Sequence, residues 1–166
     1  LIPGMPVTFA PGAQEVTIDV PAGRHIAYVV VKHTGYMGVI HGALGACGPV
    51  LDHFNAEAVR RYLNRMSDAM RPVVGNLHDR IRSFFTDSFE LEGSNWCKDI
   101  REEFQKRRGY DLYTYYPLIL KKVGPYGNEI KTPYGARIEP DVMERIYRMR
   151  YDYELTLAEL FKERFL

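Results

Sequence analysis

Apolar positions recur along this chain with two different periods. Glu15-Val16-Thr17-Ile18-Asp19-Val20 alternates polar and apolar residues, which predicts a half-buried strand. Pro21-Ala22-Gly23 supplies a turn. Ile26-Ala27-Tyr28-Val29-Val30-Val31 is an unbroken β-branched and aromatic run, which predicts a strand covered on both faces. The glycine-rich stretch Thr34 to Pro49 predicts a long loop, and a loop of that length in a compact domain is commonly functional. The period then changes. Asn55 is a good N-cap, and Val59, Tyr62, Leu63, Met66, Met70 and Val73 follow at three- and four-residue spacing, predicting one helix that ends at Val74-Gly75-Asn76. Ile81 to Phe85 reads as another strand. A helix is predicted from about Ser94 or Asn95, with Trp96, Ile100 and Phe104 on its apolar face. Arg107 and Arg108 favour its C-terminal dipole, and Gly109 suits the left-handed residue after it. An irregular Gly/Pro-rich segment runs from Tyr116-Pro117 to Pro140. The last predicted helix spans about Asp141 to Phe165, with Val142, Ile146, Met149, Tyr153, Leu157 and Leu160 on one face.

Strands alternating with helices predict an α/β fold with a parallel sheet. Residues 1–24 read as a Pro/Gly-rich lead-in with a short strand, and residues 25–166 as the α/β unit. A length of 166 residues gives one domain a real core, but falls short of a complete α/β barrel at about 250 residues. The chain opens Leu1-Ile2-Pro3-Gly4-Met5-Pro6, without an initiator Met and without the basic and apolar regions of a signal peptide. It is therefore expected to be an excised piece, and its start does not reveal its compartment.

Charge and cysteine content narrow the choices further. The net charge of +1 balances 22 basic against 21 acidic residues, which argues against a nucleic-acid partner. No apolar run reaches the roughly 20 residues of a membrane span. Cys47 and Cys97 lack the CxxC spacing of a metal or redox site, so two separate thiols are expected, although an oxidising compartment would allow them to pair. The 12 tyrosines suit sugar stacking and ordinary packing equally.

Candidate chemistry concentrates after the predicted strand Ile81 to Phe85. Asp87 and Glu90 fall at its C-terminal end, the edge where α/β barrels carry their active-site loops. Apolar bulk from Phe84-Phe85 would disfavour a charged carboxyl group and raise its pKa. That is what a general acid needs near neutrality. Glycoside hydrolysis uses such an acid on the leaving oxygen and a second carboxylate on water or on the sugar. Spacing alone does not decide whether Asp87 and Glu90 face each other, and Asp87-Ser88 would also serve as a turn. Asp52-His53 precedes a helix cap after a strand and a long loop, so it could line the same face, or His53 could be a structural imidazole. Trp96 could stack on a sugar or join the core. His33 and His41 have no ligand spacing, and Gly124-Pro125-Tyr126-Gly127 is not a phosphate loop.

Taken in order, these residues resemble glycoside hydrolase family 106, the α-L-rhamnosidase-like proteins. The resemblance rests on Phe85-Thr86-Asp87-Ser88-Phe89-Glu90, Trp96, Glu103-Phe104, Arg107-Arg108-Gly109-Tyr110-Asp111 and Tyr116-Pro117. Val50-Leu51-Asp52-His53-Phe54-Asn55 with Ala58 and Tyr62 fits upstream, as does Thr34-Gly35. Arg150-Tyr151-Asp152-Tyr153, Thr156 and Glu163-Arg164-Phe165 fit downstream. The resemblance implies an internal segment of a partial (β/α)8 TIM-type barrel with parallel strands and flanking helices. It implies an inverting hydrolase of rhamnose-containing glycans, bacterial, periplasmic or extracellular, with further domains in the parent chain. It makes Glu90 the expected general acid, and Asp87, Asp52, His53 and Trp96 the expected substrate-binding residues. It also implies an association with calcium, but no residue matches a calcium motif, so no metal ligand is assigned. Two departures stand out. Gly38-Val39-Ile40-His41 replaces basic residues in the loop, and the base carboxylate that inversion requires would lie on a strand beyond Leu166. A carbohydrate-binding or scaffold remnant without activity is the alternative reading.

Overall fold

A computed structural model describes residues 9–25, 27–35, 38–39, 41–45, 47–83, 85, 94–114, 116–119 and 140–165. Within them the regular structure is helical: α1 (Ala56–Val74), α2 (Ile100–Arg108), the single turn α3 (Tyr116–Ile119) and α4 (Pro140–Phe165). Short 3₁₀ turns lie at Leu77–Asp79 and Leu112–Thr114.

The helix boundaries follow from local chemistry. The Asn55 side chain accepts hydrogen bonds from the backbone N–H groups of Glu57 and Ala58, each at 3.2 Å, satisfying donors that the first turn leaves open. At the other end Pro72 removes a backbone donor from the last turn of α1, and Gly75 closes the helix with φ 75°. The N–H of Gly75 donates to the Arg71 carbonyl at 2.9 Å. Helix α2 starts later than its apolar spacing predicts, at Ile100, because Lys98 and Asp99 form a turn ahead of it. Gly109 ends α2 in the left-handed region at φ 80°, as its sequence position predicts.

The predicted α/β fold is not what forms. Among the described residues there is no strand and no sheet, so the partial TIM-type barrel with parallel strands is corrected to a helical structure. The β-type pairing found there is one isolated antiparallel bridge between Gly38 and Pro49, inside the predicted long loop, where the Val39 N–H donates to the Gly48 carbonyl at 2.9 Å. Glu15–Val20, predicted as a half-buried strand, is exposed throughout and irregular. Residues 27–31 of the predicted buried strand are exposed as well, and Ile26 lies outside the described residues. Ile81, Arg82, Ser83 and Phe85 of the third predicted strand are irregular, and Phe84 lies outside the described residues. The physical reason is that β-branched runs report a preference for a paired, half-covered surface. A strand exists when a neighbouring ladder takes up its N–H and carbonyl groups, and no such neighbour forms here.

The chain divides into two compact units, Leu1–Lys32 with Asp99–Glu154, and His33–Lys98 with Leu155–Leu166. In the first, Ile100, Phe104, Leu112, Tyr116, Ile119, Ile146, Met149 and Tyr153 are buried. The Tyr110 ring meets Phe104 edge-on at 5.0 Å, and Tyr116 meets Tyr153 in the same manner at 5.7 Å. The second unit buries His53, Val59, Cys97, Thr156 and Leu160. Cys97 is thus inside and Cys47 exposed, and no disulfide joins them. The long helix α4 buries the face its periodicity marks, at Ile146, Met149, Tyr153 and Leu160. Helix α1 behaves differently. Val59 is buried, while Tyr62, Leu63, Met66, Met70 and Val73 of the same stripe remain exposed. Periodicity identifies the helix and its apolar face, but carries no information about what covers that face.

Candidate active site

Asp52 and His53 lie on the turn that enters α1. The Phe54 N–H donates to Asp52 Oδ1 at 3.1 Å, and the Asn55 N–H donates to the Asp52 carbonyl at 3.1 Å. This Asx turn uses the Asp52 side chain to hold the backbone just ahead of the Asn55 cap, and leaves Asp52 itself exposed. His53 points the other way. It is 9% exposed and lies 6.1 Å from the Phe161 ring in a stacked arrangement and 5.0 Å from the Phe165 ring. Phe161 and Phe165 stack on each other at 5.1 Å, one helical turn apart on α4. Arg164 completes the support by donating through Nη1 to the Phe54 carbonyl at 3.0 Å. Burial holds the His53 imidazole below its ordinary pKa, opposed by a hydrogen bond involving the Leu51 backbone and by the nearby Asp52 charge. A neutral imidazole behind two aromatic rings is well suited to fixing the Asp52 turn.

Trp96 is half-buried in the segment leading to α2, next to the buried Cys97, and not on the helix where its spacing places it. Asp87 and Glu90 lie outside the described residues. Phe85, one of the two rings expected to shield them, is 87% exposed.

Several residues that carry the family resemblance turn out to hold structure together, a role that their sequence positions did not reveal. Asp111 accepts two hydrogen bonds from Arg101, at 3.1 Å from Nε and 3.0 Å from Nη2, and a third from the Tyr113 N–H at 3.1 Å. The Arg101 bonds hold the Asp111 carboxyl below its ordinary pKa. The same guanidinium lies 4.3 Å from the centroid of the Tyr113 ring. Arg107 Nη2 donates to Glu103 one turn earlier at 3.0 Å. The Tyr110 hydroxyl donates to Asp152 at 2.7 Å, and burial followed by this bond raises its pKa. The Arg150 Nε donates to the Ile119 carbonyl at 3.0 Å. An Arg or Asp in a motif signals a charge that needs a partner, but its partner becomes visible only in the fold.

Two general properties bound the site. Among the described residues no group of three or more His, Cys, Asp or Glu side chains comes together to hold a metal ion. Among the described residues no helix is long and apolar enough to cross a membrane.

Comparison with protein families matches residues 35–130 to a glycoside hydrolase family described as alpha-L-rhamnosidase. The chain belongs to glycoside hydrolase family 106, the family of that description. The matched stretch contains Asp52, His53, Asp87, Glu90 and Trp96. No curated protein and no solved structure matches this chain.

Proposed function

We propose that these residues contribute the proton-donor side of acid/base hydrolysis of terminal α-L-rhamnosides. The supporting observation is the family match across residues 35–130, which takes in the whole Asp87–Glu90 segment. In this reading Glu90 protonates the glycosidic oxygen as the bond to the sugar breaks, and a second carboxylate activates the attacking water. Asp87 and Asp52 bind sugar hydroxyls, which carboxylates accept as charge-assisted hydrogen bonds. Trp96 offers an aromatic face to the apolar side of the sugar. His53 belongs to the same pocket in this reading, and its burial behind the Asp52 turn supports a place at the pocket floor. Calcium enters as the ion associated with the family, and no step is routed through it. A rhamnose-containing glycan is the substrate class, outside the cytoplasm.

Replacing Glu90 by Gln in the active protein that carries this segment is the direct test. On a rhamnoside with an alkyl leaving group, turnover should fall by about 10²–10⁴-fold, the usual contribution of a positioned general acid. Turnover within a few-fold of the parent protein would refute the assignment. Rhamnoside binding with no hydrolysis in either protein would favour the non-catalytic carbohydrate-binding alternative.

A further inference from the structure

Tyr28-Val29-Val30-Val31 remains in solvent although each of these residue types favours paired β structure. Exposure along the run alternates: Tyr28 41%, Val29 74%, Val30 47% and Val31 78%. A period of two belongs to an extended backbone, whose successive side chains point to opposite sides. Upstream, Val16, Ile18 and Val20 are spaced two apart and are all exposed. Among the described residues no strand lies beside this run and no backbone–backbone hydrogen bond reaches Ala27–Lys32. The run therefore offers backbone donors and acceptors and side chains whose exposure alternates as along an extended chain, features that template pairing with another chain.

We propose that this run is a self-association surface, which pairs with the same run of a second copy of this chain in an intermolecular β-ladder. The choice of a second copy rests on self-complementarity. Ile26-Ala27-Tyr28-Val29-Val30-Val31 contains no charge, no Pro and no Gly, the composition that lets identical segments stack. Arg24 and Lys32 flank it, and both are exposed. Cations at both ends approach each other whether two copies run parallel or antiparallel, so they oppose pairing and act as charged gatekeepers. Salt shortens the reach of that repulsion and leaves apolar burial intact, so association should tighten as ionic strength rises. The apolar stripe of α1 is the competing surface. That helix carries Arg60, Arg61, Arg65 and Arg71 against Glu57 and Asp68, with Asp68 paired to Arg71, and the remaining positive charge opposes pairing with its own copy.

Sedimentation velocity of the 166-residue chain over a range of concentrations, at low and high salt, tests the proposal. Infrared spectra of the same samples report intermolecular β structure. The expected mass rises above the 19.2 kDa monomer with concentration and with salt, together with a gain in β signal. The double substitution Val29→Lys with Val31→Lys changes two side chains that already face solvent, and should weaken association at least tenfold. Val31→Pro, which deletes one ladder donor and keeps the run apolar, should weaken it in the same direction. Leu63→Lys with Met66→Lys in α1 should leave it unchanged. A monomer at every concentration and salt would overturn the proposal, as would association without β signal. Association that survives the first two variants and disappears in the α1 variant would overturn it equally.

Discussion

Burial of the His53 imidazole against Phe161 and Phe165 couples the folded state to mild acid. Its folded pKa lies below the ordinary value of about 6.5, so between the two values the unfolded chain takes up a proton that the folded chain refuses. The stabilising contribution is fully present above about pH 6.5 and is lost as pH falls through that value toward the folded pKa. Thermal unfolding of the parent chain should therefore move to lower temperature between about pH 7.5 and 5.5, and His53→Phe, which keeps a ring in the aromatic cluster, should flatten that slope. Parallel pH profiles for the two proteins would show that His53 is not the titrating group. This residue also shows how far a sequence carries at the finest scale. A histidine beside an aspartate and ahead of a helix cap reads equally well as a pocket residue and as a structural one. The surroundings of the imidazole come from Phe161 and Phe165, with Arg164 bonded to the neighbouring Phe54 carbonyl, about 110 residues downstream, for which Asp52-His53 contains no signal.

At the scale of elements, what the sequence states locally is what the fold keeps. Asn55, Gly75 and Gly109 act within a single turn of their helices, and each sits where its residue type predicts. Asn55→Ala should lower stability by about 1 kcal/mol, the usual cost of losing an N-cap side chain. Gly109→Ala should cost about 1 kcal/mol as well, and for a different reason. The space beside Gly109 is open, so the penalty comes from holding a Cβ-bearing residue at φ 80°. Urea unfolding of the two variants, alone and combined, checks both values. The sites lie on different helices, so their effects should add, and a combined loss well short of the sum would indicate that α1 and α2 do not unfold together. Helix α4 was equally legible, because the spacing of Ile146, Met149, Tyr153 and Leu160 states its buried face directly.

The whole molecule departs from its sequence reading where an element depends on a distant partner. Ile26–Val31 and Ile81–Phe85 have strand composition, but composition does not supply the neighbouring ladder, and the described residues of both runs stay irregular. Helices close their hydrogen bonds within the segment, which explains why α1, α2 and α4 form while the predicted strands do not. The candidate site divides along the same line. The family was legible from short motifs in order, and the match over residues 35–130 bears that out. The geometry between Asp52, Trp96 and the acids Asp87 and Glu90 is not set by any local rule, and the two acids lie outside the described residues. The assignment of Glu90 as proton donor is tested most directly by leaving-group dependence. Hydrolysis of a series of rhamnosides by the parent protein and by Glu90→Gln should separate as the leaving group worsens. The loss should be small for an activated aryl group, which departs without a proton, and should grow to about 10²–10⁴-fold for an alkyl group, which does not. An equal loss across the whole series would contradict a proton-donor role for Glu90.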